Sequence, residues 1–320
     1  MKQDIFEKPK HMTNIGGQAL IEGLMMIGPR NAAIAIRKPD GEIIVEKRPL
    51  PKKGKFSKLP IIRGFVGIFK QMVLGIQALM FSAEFVDLED EAEEDKKPSK
   101  FEGFLDRVFG DKLQTVLIYI SVVFSLLFSV GLFMVLPNAI AWLLPIDETT
   151  PMGSILYNVV EGAIRVALFI LYLSLTSMLK DIKRVWQYHG SEHKTIHCYE
   201  NEEELTVENV KKYSTRHPRC GTSFLFTVMI VSIMVFSLVG QHGLWINILL
   251  RIILIPLVAG VSYEIIKIAG KSQSKIARII NAPGLLFQGF TTREPDDSQI
   301  EVAIEAMKNV LVENKEEDKW

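Results

Sequence analysis

From Leu113 to Leu136 the chain reads LQTVLIYISVVFSLLFSVGLFMVL, without one charged residue. A helix needs ~20 apolar residues to cross the hydrocarbon core of a bilayer. Lipid offers the backbone no hydrogen-bonding partner, so such a run can only close on itself as a helix. Pro137 is expected to break that helix, leaving NAIAWLLP as an interfacial continuation carrying Trp142. Three further runs follow. Ile155 to Leu179 is apolar except for Glu161 and Arg165, Ser223 to Val239 is uncharged but short, and Leu244 to Tyr263 carries Arg251 near its middle. About four transmembrane helices are expected.

The loops between these runs set an orientation. IDETTPMGS (146–154) and GQHG (240–243) hold no Lys or Arg, whereas Lys180 to Arg219 holds eight and Lys267 to Arg278 holds four. The positive-inside rule then puts the long central loop and both termini in the cytoplasm. The first residues, MKQDIFEKPKHMTNIGG, do not form the basic and apolar regions of a signal peptide, so neither cleavage nor export is expected.

The fold class expected is an α-helical polytopic membrane protein with a small cytosolic α+β portion containing a β-hairpin. In residues 1–58, AAIAIRKPDGEIIVEKRPL sets Pro-Asp-Gly between two runs with Ile and Val at β spacing. Residues 59–85 form an apolar segment with Arg63 and Lys70 as its basic charges. It is expected to lie in the cytoplasmic interface, with entry into the bilayer as a fifth element the alternative. Residues 86–112 read as an acidic linker. Two pairs of spans (113–179 and 223–263) flank a cytosolic His/Cys loop (180–222). The C-terminal region (264–320) ends in a segment from Ile300 with helical apolar spacing, expected to pack on the cytosolic portion.

The chain has six histidines and two cysteines, and four of those histidines and both cysteines fall between His189 and Cys220. In YHGSEHKTIHCYE, His189, Glu192 and His193 form H-x-x-E-H. On a helix, residues i and i+4 stand one above the other, so two imidazoles can grip one ion with a carboxylate beside them. His197 continues that face, and His217 or Cys220 can supply a third ligand. Thiols facing a reducing cytosol are free or bind metal. The plain alternative is a solvated loop, since Gly190 and Ser191 are poor helix formers. Glu264, at the end of the fourth run, and Glu22, alone among apolar residues after Gly16-Gly17, are candidate carboxylate partners that orient a histidine. TTREP (291–295) offers anion contacts or a capped turn. Glu161 and Arg165, one turn apart, can pair within the bilayer, with Arg251 as structural glue.

Together, GGQALIEGLMMIGP, YHGSEHKTIHCYE, HPRCGTSF, SYEIIK and PGLLFQGFTTREPDDSQIEVAI resemble the YqhQ-like family over nearly the whole chain. The resemblance implies a bacterial (inner) membrane protein, from a family of unknown function often described as predicted metal-dependent enzymes. The motif residues it implies are His189, Glu192, His193, Lys194, His217, Arg219 and Cys220.

Two functional expectations follow. The first is a cytosol-facing, zinc-dependent hydrolase, with His189, His193 and His217 or Cys220 as ligands and Glu192 as base; Lys194, His197, Glu264 and Glu22 support them. The second is a non-enzymatic accessory of membrane-protein biogenesis with a structural metal. In it the basic stretch 47–58 meets anionic lipid, the translocon or the ribosome. Lys+Arg and Asp+Glu balance at 37 each, so bulk charge argues neither for nor against nucleic acid, and no DNA partner is expected. Four spans without an internal repeat do not fit a transporter.

Overall fold

The computed structural model describes residues 9–51, 59–85, 113–147, 150–240, 242–272 and 274–320. Most of the basic stretch 47–58 and all of the acidic linker 86–112 lie outside them. By its contacts the chain divides into two units: residues 1–87, 171–236 and 251–320 form one, and 88–170 and 237–250 the other.

The first unit is built on a four-stranded antiparallel meander, β1 (Gly16–Leu20), β2 (Gly23–Ile27), β3 (Asn31–Arg37) and β4 (Ile43–Pro49). The expected hairpin is β3–β4. Gly41 takes a positive φ of 91°, and Glu42 N–H donates to Asp40 Oδ1 at 3.0 Å to close its turn. The sheet extends beyond that hairpin because GLMMI and NAAIAIR pair in register, with Leu24 opposite Ala35, Met25 opposite Ile34 and Met26 opposite Ala33.

Both faces of the sheet are covered, which is why its central strands read as near-continuous apolar runs. One face presents Leu24, Met26, Ala33 and Ala35 to two helices, α4 (Lys180–Glu200) and α9 (Asp297–Lys308). It packs on Tyr188, Ile196, Val302, Ala303 and Met307. The alanines let the helices approach closely. The other face presents Leu20, Met25, Ala32, Ile34 and Ile36 to Leu74, Ala78, Phe81 and Phe85 at the end of α1 (Ile62–Ala83) and just beyond it.

A C-terminal strap locks the first unit. Thr13 bridges Lys319, and Trp320 N–H donates to Met12 O at 2.8 Å. The fully buried Asp318 carboxylate accepts from Thr13 Oγ1 at 2.9 Å and from Tyr199 Oη at 2.8 Å. Helix α9 starts at a reciprocal capping box between Asp296 and Gln299.

The remaining helices are α2, α3 (Pro151–Thr176), α5 (Val207–Lys211), α6 (Gly221–Val239), α7 (Leu244–Lys271) and α8 (Lys275–Thr291). Helix α2 runs over Leu113–Val130, a π turn Gly131–Val135 and a further stretch Leu136–Trp142. Pro137 therefore does not break it, against expectation. The ring lacks an N–H and clashes with a regular preceding turn, and the π turn, closed by Leu136 N–H on Gly131 O, widens the helix there. In the second unit, Tyr157 Oη donates to Asn138 O at 3.0 Å and Glu161 pairs with Arg165 along α3. Arg251 is buried and lies over the Phe236 ring in the first unit.

Five helices among the described residues are long and apolar enough to cross a membrane: α1, α2, α3, α6 and α7. Sequence periodicity led to four, with 59–85 set apart as interfacial.

Replacing Asp296 with Ala removes the capping acceptor and is expected to cost about 1 kcal/mol. Thermal unfolding of the detergent-purified protein checks this, with Ser298→Ala as a nearby control expected to cost less.

Candidate metal centre

The alternative of a solvated loop does not hold: helix α4 is continuous through H-x-x-E-H and buried from Tyr188 to Ile196. The low helix propensity of Gly190 is overridden by packing. The carbonyl of Arg293 lies against its α-carbon so closely that no β-carbon would fit. The chain after α8 crosses α4 at this point. Arg293 N–H donates to Trp186 O at 2.9 Å, and Gln187 Nε2 donates to Glu294 O at 3.2 Å. TTREP is thus a strap over the site helix.

His189 and His193 stand one turn apart with ring centroids 4.4 Å apart. Each has its Nδ1 on a backbone carbonyl: His189 on Thr291 O at 2.7 Å and His193 on Thr215 O at 2.6 Å. A carbonyl only accepts, so both Nδ1 atoms carry protons and both Nε2 atoms are turned to the same side. His189 Nε2 lies 3.2 Å from Cys220 Sγ, while His193 Nε2 is buried without a hydrogen-bond partner. The ligand atoms of His189, His193 and Cys220 all fall within 4.8 Å of one another.

Cys220 sits immediately before α6, where Thr222 N–H donates to Sγ at 3.4 Å. Burial raises the pKa of this thiol, but His193 and His189 beside it prevail and hold it well below the ordinary value of 9.0. Burial likewise depresses His189, and the neighbouring Cys220 thiolate overrides it, raising the imidazolium to about 9. The proton shared by this pair stands where a cation would go. Two neutral imidazoles and a thiolate are a ligand set for zinc or a similar divalent transition ion.

Glu192 completes the cluster. Its carboxylate accepts from the Gly17 N–H and is raised above its ordinary pKa by burial, with His189 and His193 acting against that. A β-carbon on Gly17 would lie 2.6 Å from Met25 O and 3.0 Å from Glu192 Cδ. The paired-glycine motif therefore serves close approach of β1 to Glu192 through Gly17; a β-carbon on Gly16 would meet nothing within 4 Å.

The other expected site residues are placed elsewhere. His217 is not grouped with His189 and His193. Its Nδ1 accepts from the Arg219 N–H at 3.3 Å, and its Nε2 lies 3.4 Å from Glu200 Oε2. Glu200 is paired with the Arg219 guanidinium and accepts from Thr13 N–H at 2.8 Å. His197, Glu200 and His217 do lie close enough to share an ion, but Arg219 already supplies the cation. His197 Nε2 bonds Arg216 O at 2.9 Å, and burial lowers its pKa to about 4. Lys194 is buried and joins Lys211 O at 3.0 Å to Glu294, pinning the strap. Glu22 holds Arg184 at 2.6 Å and Tyr188 Oη at 3.3 Å rather than a histidine. Glu264 is committed to Arg63 of α1, which donates to it at 2.7 Å, rather than to a histidine.

Sequence reasoning missed Gln288. Its Oε1 accepts from His217 N–H at 2.8 Å, and its Nε2 donates to His217 O at 2.9 Å and Ser223 Oγ at 3.1 Å. A lone glutamine in the apolar PGLLFQGF was the available signal. The carbonyls of Thr215 and Thr291 carry no side-chain signature at all.

The sequence profile of the family described as "Protein of unknown function (DUF1385)" matches residues 59–313. The chain belongs to that family. It is also similar to "Uncharacterized protein YqhQ" of Bacillus subtilis (strain 168), at 37% identity over 308 residues, covering 92% of each chain. The family resemblance read from the motifs is thereby borne out. No solved structure matches.

Arg219→Met leaves the Glu200 carboxylate buried without its cation, and is expected to destabilise the protein by on the order of 3–5 kcal/mol. The double change Glu200→Leu with Arg219→Met should recover much of that loss in thermal or denaturant unfolding. Equal destabilisation by both would refute the pairing.

Proposed function

We propose that this chain is a membrane-anchored, metal-dependent hydrolase with its centre at the cytoplasmic surface. The observation that carries the reading is the buried Nε2 of His193, without a hydrogen-bond partner beside the Cys220 Sγ–His189 Nε2 pair. A buried polar atom normally has a partner, and an orphan among ligand atoms points to an ion. The two Nδ1–carbonyl bonds are the outer support that ligating histidines require.

The bound ion, zinc or another divalent transition metal, would supply Lewis-acid polarisation of an attacking water or a substrate oxygen. Glu192 would be the residue to take up a proton from an attacking water. Burial raises its carboxyl above the ordinary value, and the Gly17 N–H orients it. His189 and His193 act only as ligands, their second nitrogens being engaged by Thr291 and Thr215.

The packing also supports a membrane topology. The sheet and α4 share one hydrophobic core, so they lie on one side of the bilayer. Three apolar helices, α1, α2 and α3, separate them in sequence. An even number of crossings is needed, so one of the three does not cross. The helix best suited to that role is α1, whose Ala78 is buried against the sheet while Phe69, Met72 and Ile76 are exposed. Between α4 and α9, which share the same core, α6 and α7 cross twice. Four crossings and the Lys/Arg-rich segments around the site favour the cytoplasmic side of a bacterial membrane.

A second reading rests on the burial of all three ligands and Glu192. A closed site of four ligands is structural, and the protein would then be an accessory of membrane-protein biogenesis.

Elemental analysis of detergent-purified protein is expected to find about one divalent ion per chain, as for a single three-ligand centre. It should be lost in His193→Ala and retained in His217→Ala. Glu192→Gln should keep the metal and lose cellular function; unchanged function would leave the structural reading. For the topology, cysteines introduced at Asp40 and Glu84 are expected to be labelled from the cytoplasmic face, and one at Met152 from the opposite face. Labelling of Asp40 and Glu84 from opposite faces would mean that α1 crosses.

A further inference from the structure

Helix α8 is amphipathic in an unusual sense, for it is buried on its polar side and bare on its apolar side. Asn281, Gly284 and Gln288 face inward, Gly284 lying against Ser223 of α6. Ile276, Ile279 and Leu286 face outward and are 70%, 71% and 69% exposed. That is more exposed than Met234 of α6, at 63%, on a helix read above as spanning the bilayer. Positions 276, 279, 283, 286 and 290 form one stripe along a helix. The inward side seats the helix on α6, where the Phe287 ring lies 5.9 Å from that of Phe226.

With 17 residues and ~1.5 Å rise per residue, α8 is long enough to reach most of the way across a bilayer. It nevertheless cannot cross. Cys220, just before α6, and Thr291, at the end of α8, both meet His189, at 3.2 Å and 2.7 Å. If α6 and α7 cross once each, the chain has already returned to the side of the site when α8 begins, and α8 also ends there. Lys271, Lys275 and Arg278, all exposed, cluster at its beginning.

We propose that α8 lies in the plane of the membrane surface, its isoleucine stripe among the acyl chains of the leaflet on the side of the site. Lys271, Lys275 and Arg278 then meet the phosphates of anionic phospholipid. This rests on the membrane reading above and deepens it. The carbonyl that fixes His189 belongs to the last turn of a lipid-seated helix, so the centre stands at the headgroup level and takes a lipid or another membrane-borne substrate.

The test uses the full chain in nanodiscs, with Ile279→Cys and Met234→Cys carrying a bimane fluorophore and wild type correcting for labelling of Cys220. Lipids brominated on the acyl chains should remove most of the emission at both positions, and aqueous iodide should remove little. Anionic phosphatidylglycerol should deepen lipid quenching at Ile279 relative to phosphatidylcholine alone. Replacing Lys271, Lys275 and Arg278 with Gln should abolish that difference. Quenching of the Ile279 probe by iodide, or by neither agent, would overturn the proposal while quenching at Met234 upholds the membrane reading. The first result means water, and the second a covering protein surface. Absence of lipid quenching at Met234 would overturn both.

Discussion

Helix α4 carries ionisable side chains into the interior, and a buried charge costs several kcal/mol unless it is paired and hydrogen-bonded. His189, Glu192, His193, Lys194 and Glu200 are all buried on this one helix. The surrounding elements are arranged to meet them. Strand β1 brings the Gly17 N–H to Glu192, and the strap after α8 brings Glu294 to Lys194. The segment before α6 brings the Thr215 carbonyl to His193 and Arg219 to Glu200. The sheet, the strap and the entry to α6 are thus held in register by the demands of one helix. His193 Nε2, a buried group on this helix left without a partner, is aimed at Cys220 and His189.

The cluster divides into two halves of different character. His189, His193 and Cys220 offer lone pairs and a thiolate balanced only by the proton that His189 shares with it. His197, Glu200 and His217 are equally close together but enclose a guanidinium. Arginine cannot give up its proton, so it acts as a permanent internal counter-ion there. Similar residue types, seven or eight positions apart on one helix, therefore form a set of convergent ligand atoms at one end and an internal ion pair at the other.

Much of this was legible in the chain. The apolar runs are helices, Pro-Asp-Gly turns a hairpin, and the segment from Ile300 packs by its helical spacing. The i, i+4 histidines share a face as expected. What escaped had physical causes. Gly190 and Ser191 argued against a helix because propensity carries no information about Arg293 pressing on Gly190 from 103 positions away in the chain. His217 could not be separated from Cys220 by spacing, since its ring direction depends on a local bond to the Arg219 N–H. Pro137 signalled a break that a π turn absorbs. Glu22 and Glu264 were legible as acids needing partners, but the guanidiniums that answer them lie 162 and 201 positions away.

The bridge between Thr13 and Asp318 joins residues 305 positions apart in the chain. At a synthesis rate of 5–20 residues per second, the N-terminal sheet waits roughly 15–60 s before its closing strap has been made. Through most of that interval the apolar face built by Leu24 and Met26 lacks α9. Closure must also await the synthesis of every intervening long apolar helix, because α9 follows the last of them. The assembled cluster is therefore a report that the whole chain has folded in order: a misplaced helix would strand Cys220, Thr291 or α9 away from α4, and the histidines would never be brought into line.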